Sequence, residues 1–217
     1  MGSTNFDIIP IETDQISFQD VLQLSEKHIN TFLNRMGILS TIQLRINAYE
    51  DKIDLDSTFA WLGTTKDIWF ELDGIEGEIS VDCYPIHQHS TNSWRLDACL
   101  QKEKQNKTIP DFDKKIEQSK QLSHFWSLSC DSQELGIIHL SYGLLAASIA
   151  ELTGGFIDTS NGAWLYDEFP AEAPAFLKSY FITDNRSEKG VVDSMFIFYA
   201  KIHLKGLHQE IPPNNNH

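Results

Sequence analysis

A chain of 217 residues, 41% of them hydrophobic, can bury a core without disulfides or metals as staples. Its 17 basic against 31 acidic residues leave a net charge of −14. That field repels nucleic acid and anionic membranes, which are held by neutralising phosphate charge, and it attracts basic partners. No apolar run reaches the roughly 18 residues of a membrane span, and no basic segment followed by an apolar core opens the chain. Cys83, Cys99 and Cys130 are odd in number and far apart, which fits reduced thiols of a cytoplasmic protein better than a disulfide framework.

Phe6 to Ile11 reads as a short strand. Ser17 then caps an amphipathic helix whose apolar stripe runs through Phe18, Val21, Leu22, Ile29, Phe32 and Leu33, with Gly37 as its stop. Ile42, Leu44, Ile46 and Ala48 alternate with polar residues, as do Ile68, Phe70 and Leu72, then Ile79, Val81 and Cys83, and finally Trp94, Leu96, Ala98 and Leu100. Such alternation predicts half-buried strands, and the short connection Asp73–Gly77 predicts a hairpin. Consecutive strands of this kind make an antiparallel meander with one packed and one wet face. Glu71, Glu78, Asp82 and Asp97 then fall on the wet face, and Asp51, Asp54 and Asp56 lie in an acidic loop before it.

Residues 101–110 read as a loop, residues 111–122 have helical propensity but only a narrow apolar stripe (Phe112, Ile116), and Phe125 to Cys130 read as another strand. The longest signal follows. Ile138, Tyr142, Leu145, Ile149 and Leu152 recur three or four residues apart with Ile137, Leu144 and Ala147 beside them. This predicts a nearly all-round buried helix over about 133–153, closed at Gly154-Gly155. A short return strand at Phe156-Ile157 and a helix over Pro170–Phe181 follow. Residues 191–207 fit a helix by spacing and a strand by their β-branched and aromatic content, and the strand is favoured here. The expected fold is α+β: an antiparallel sheet of five to six strands against the long central helix and two further helices. Residues 1–210 form one domain in this reading, and residues 211–217 a disordered tail.

No motif spells out a reaction; G-x-S-x-G and the phosphate loop are both absent. His87 and His89 could share a metal from one strand face, but two ligands are not a site, so a polar loop is preferred and no metal or cofactor is expected. Asp158, Asp54, Asp56 and the Asp167-Glu168 pair are read as surface charge. Isolated cysteines near His124 or His139 lack a nucleophile signature and read as small buried groups. His139 reads as a satisfied interior histidine.

The stretch Leu145 to Trp164, LAASIAELTGGFIDTSNGAW, with the following PAEAPAFLKSYF, resembles the C-terminal part of small bacterial proteins of unassigned activity, some of them immunity proteins that accompany polymorphic or type VI secreted toxins. The resemblance covers about a fifth of the chain and implies a cytosolic protein that neutralises a cognate toxin without catalysis. The expectation is therefore a binding protein that occludes a basic toxin through Glu71, Glu78, Asp82, Asp97, Asp51, Asp54 and Asp56. The alternative is a small hydrolase or metal-dependent enzyme with a site near His87/His89 or His139/Asp158.

Overall fold

The computed structural model describes residues 4–38, 41–49, 52–62, 67–86, 109–131, 136–159, 169–180, 197–202 and 204. Among the described residues, besides a helical stretch at 197–202, seven strands and four helices follow in chain order. They are β1 (Thr4–Ile9), α1 (Phe18–Arg35), β2 (Leu44–Ala48), β3 (Ile68–Leu72), β4 (Ile79–Pro85) and α2 (Phe112–Ser119). The second half holds β5 (His124–Cys130), α3 (Gly136–Leu152), β6 (Phe156–Asp158), β7 (Ala171–Glu172) and α4 (Ala173–Ser179). The strands form one sheet in the order β2-β3-β4-β5-β1-β6-β7, and every pairing is antiparallel. The expected α+β class is what the chain adopts. The meander runs from β2 to β5, and β1 then enters between β5 and β6, which a meander alone does not predict.

Residues alternate across the sheet, so each strand serves two faces. Phe6, Ile8, Trp126, Leu128, Val81, Phe70 and Ile157 point to the helix side and join the larger core. There α3 is buried from Gly136 to Ala150 on all sides, because α1, α4 and the sheet all pack on it. Phe6 stacks on Tyr142 with ring centroids 4.7 Å apart, and the Tyr142 hydroxyl donates to the Leu128 carbonyl (3.3 Å). Tyr180, after α4, sets its hydroxyl between two groups of α3. It donates to the His139 carbonyl (2.6 Å) and accepts from the Gly143 N–H (3.1 Å). Only glycine leaves room for that ring, since a Cβ at position 143 would lie 2.0 Å from it.

Caps fall where the sequence places them. Ser17 and Asp20 form a reciprocal capping box at the start of α1. Gly154, at φ +58, ends α3, and the Thr153 carbonyl then accepts the N–H groups of Ile11 and Glu12, which ties the helix end to the exit of β1. The Thr153-Gly154-Gly155 turn is thus explained by packing.

Three expectations are corrected. The outer face of the sheet is not uniformly wet: α2 covers one end of it over a second apolar cluster containing Ile9, Phe112, Ile116, Phe125 and Phe156. The segment before α4 is a two-residue strand, too short to announce itself, so the helix begins at Ala173 instead of Pro170. Residues 197–202 are helical, not extended. There Ile197, Ala200 and Leu204 are buried while Phe198, Tyr199 and Ile202 are exposed, so the helical spacing outweighs the β-branched composition. The expected strand at Trp94–Leu100, the loop at 101–108 and the tail at 211–217 lie outside the described residues. No helix among those described is long and apolar enough to cross a membrane.

Candidate functional site

The anticipated acidic residues divide into two groups. Glu71 and Asp82 belong to the outer side of β3 and β4, since Trp69 faces Ser80 in the ladder and they share that parity, and Glu78 lies just before β4. Glu78 and Asp82 are exposed. Glu71 is half-buried and partly committed, because the Trp69 indole donates to it at 2.8 Å. Arg45, opposite Glu71 in the ladder, is ion-paired with Asp73.

Asp54 and Asp56 form the second group, on the helix side at the start of α1. The connection between β2 and β3 is clamped there by backbone bonds from Gln19 N–H to the Leu55 carbonyl (2.9 Å), from Phe18 N–H to Ser57 (3.2 Å) and from Phe59 N–H to Ile16 (2.7 Å). Phe59 is fully buried between Phe18, Trp61, Phe70 and Trp126, and its carbonyl accepts the Trp126 indole N–H (2.9 Å). The tip is closed by Ser57, whose N–H and hydroxyl both donate to the Asp54 carbonyl (3.1 and 2.6 Å). The result is a fixed loop that presents two exposed carboxylates with Leu55, 37% exposed, between them. Tyr49 (78%) and Leu62 (37%) are the exposed apolar groups at its two ends. Asp51 and Asp97 lie outside the described residues.

The alternative sites fare differently. His87 and His89 lie outside the described residues. His139 and Asp158 are on opposite sides of the sheet: His139 sits in α3 with Nδ1 3.8 Å from the Cys130 thiol, whereas Asp158 shares the face of Phe156 and pairs in register with Asp7. Asp158 is buried, not surface charge. It belongs to a polar row across four strands, Asp82, Ser127, Asp7 and Asp158, in which the Ser127 hydroxyl donates to Asp7 (2.6 Å). Among the described residues no group of three His, Cys, Asp or Glu could hold a metal ion.

One constellation escaped the sequence, since its members are over a hundred positions apart. Asp14 Oδ2 accepts from the N–H (2.7 Å) and hydroxyl (2.6 Å) of Ser123, and His124 Nδ1 lies 2.7 Å from that hydroxyl and 3.4 Å from Asp14. Burial raises the Asp14 pKa, but the Ser123 and Gln15 hydrogen bonds and neighbouring His124 outweigh it and bring it to about 2. Burial lowers the His124 pKa against the pull of Asp14. Cys83 stands on the next strand, with Asp14 and Asp82 among the charges acting on it.

The composition suggests a hydrolytic triad; the geometry does not. A triad needs the hydroxyl on one ring nitrogen and the carboxylate on the other. Here both crowd Nδ1, while Nε2 is buried with no hydrogen-bond partner among the described residues. Burial and the two carboxylates push the Cys83 thiol up to about 11, so it is protonated at neutral pH and a weak nucleophile. These groups fasten the Asp14 turn to β5. Comparison with family models, with curated proteins and with solved structures finds nothing that matches this chain.

Proposed function

We propose that the chain is an immunity-type binding protein that neutralises a basic toxin by occluding it, with no catalysis of its own. The observation that carries this reading is the fixed loop after β2, which holds Leu55 exposed between Asp54 and Asp56. An apolar contact rimmed by charge, on backbone already fixed before binding, is what a rigid protein-docking surface requires, because little ordering entropy is lost on association. The net charge of −14 favours a cationic partner and fast, salt-sensitive encounter. The short resemblance around Leu145–Trp164 agrees with the reading and contributes less, since its described residues, Leu145 to Thr159, are accounted for by capping and packing.

The test is capture from the source cells with three immobilised baits: the wild-type chain, Asp54→Lys/Asp56→Lys, and Glu117→Lys on the exposed side of α2. A basic protein held in equal stoichiometry by the first and third baits and released from the second supports the reading. Retention of the same protein by all three removes the loop from the interface.

A further inference from the structure

Among the described residues β2 is an edge of the sheet, and they close its outward side only in part. Asp73 donates its N–H to the Gln43 carbonyl (2.9 Å), whereas Leu44 donates away from β3 to Glu26 of α1 (2.8 Å). Successive residues of an antiparallel strand turn their N–H and C=O to opposite sides. Arg45 and Asn47 therefore bond to β3, and Leu44, Ile46 and Ala48 face outward. Helix α1 covers the beginning of this edge. Asn30 bonds both the N–H and the carbonyl of Ile42 (2.8 and 2.9 Å), and Glu26 takes the Leu44 N–H. Beyond Leu44 no described residue continues the cover. Among the described residues no hydrogen bond reaches the outward N–H and C=O of Ile46 or Ala48. Their side chains are only half-buried against the core, and Tyr49 beyond them is 78% exposed.

Outward donors and acceptors at strand spacing are complementary to the backbone of an extended chain. The charge beside them selects which chain. Asp54 and Asp56 are exposed on the loop that leaves this edge, and Arg45 is already paired with Asp73. A second copy would bring another net charge of −14 to the same line. We infer that the outward edge of β2 from Leu44 to Ala48 receives an extended, lysine- or arginine-bearing segment of the protein partner as an added strand. This rests on the acidic-docking reading and specifies its contact: backbone pairing at Ile46 and Ala48, with charge from the adjoining loop.

The probe is a fluorescein-labelled octapeptide alternating lysine and valine, titrated into the full chain at low salt, with amide exchange read by NMR. At saturation, exchange at Ile46 and Ala48 slows by about tenfold or more, while the Leu44 amide, already bonded, changes little. Ala48→Pro removes one outward donor at a position where an edge strand tolerates proline, and it weakens the peptide by about tenfold. The exchange measurement on the wild-type chain stands even if that variant fails to fold.

Peptide that binds Ala48→Pro as well as wild type, but is lost from Asp54→Lys/Asp56→Lys, has found the loop alone. Strand addition is then overturned and acidic docking stands. No binding at all also overturns strand addition, and the capture experiment decides the wider reading separately. Self-association that Ala48→Pro abolishes would assign the edge to a second copy and overturn the inference.

Discussion

Gly143→Ala is ordinarily a stabilising change inside a helix, by about 1 kcal/mol. Here the sign reverses. A Cβ at position 143 would stand 2.0 Å from Tyr180 Cζ and 2.2 Å from its hydroxyl, so the ring must leave. Leaving breaks the hydrogen bonds to His139 and Gly143, at about 1 kcal/mol each. It also disrupts the stack of Tyr180 on Phe176, whose centroids are 4.7 Å apart, at about 1 kcal/mol. With the ring displaced, strain left among its neighbours adds only about 1 kcal/mol, the low end for overpacking. Set against the propensity gain, the net loss is about 3 kcal/mol, measured as a shift of the urea midpoint at constant slope. In a Tyr180→Ala background the obstruction is gone, and Gly143→Ala becomes neutral or mildly stabilising. The double-mutant cycle should therefore return a coupling of about 3–4 kcal/mol. A coupling under about 1 kcal/mol would refute the placement of Tyr180 over α3.

Acid should weaken the fold in two steps. The His124 pKa is depressed, so its contribution is complete above the unfolded value of 6.5 and is lost as pH falls through the folded value. Asp14, lowered from 3.8 to about 2, adds about 2 kcal/mol that is present above pH 3.8 and lost toward pH 2. Urea midpoints across pH 2–7 should slope downward below 6.5, and less steeply in His124→Asn; equal slopes would show that His124 is not held neutral. Alkylation of Cys83 by iodoacetamide should rise with pH through about 11, well above an ordinary thiol, and a midpoint near 8.5 would contradict its buried setting beside Asp14 and Asp82. Gly155→Ala places a Cβ 2.4 Å from the Ile9 carbonyl, a backbone atom that cannot swing aside, and should cost about 2 kcal/mol or more in thermal or urea unfolding.

Local signals are legible in the sequence because they depend on neighbours a few positions away. The alternation of Ile68, Phe70 and Leu72, the Ser17 cap and the apolar circumference of Ile137–Ala150 each determine a local conformation with little help from the rest. What depends on distant pairing was not legible. The entry of β1 between β5 and β6 is what buries Asp7 beside Asp158, and carboxylates read from sequence default to the surface. Asp14 and Ser123 meet only after β1 and β5 pair, so no local pattern announces them. Residues 197–202 misled through composition, although the spacing of Ile197, Ala200 and Leu204 already carried the helical signal. Of the site itself, Asp54 and Asp56 were foreseeable as exposed acids. The exposed Leu55 between them, the clamp on α1 and the open side of Ile46 and Ala48 needed the structure.

The most direct test of the immunity reading is growth. The basic protein captured by the wild-type bait is expressed in naive cells, alone and with this chain. The proposal predicts arrest alone, rescue by the wild-type chain, and loss of rescue with Asp54→Lys/Asp56→Lys while Glu117→Lys still protects. A captured protein that is harmless on expression, or rescue that the loop variant leaves intact, would contradict it.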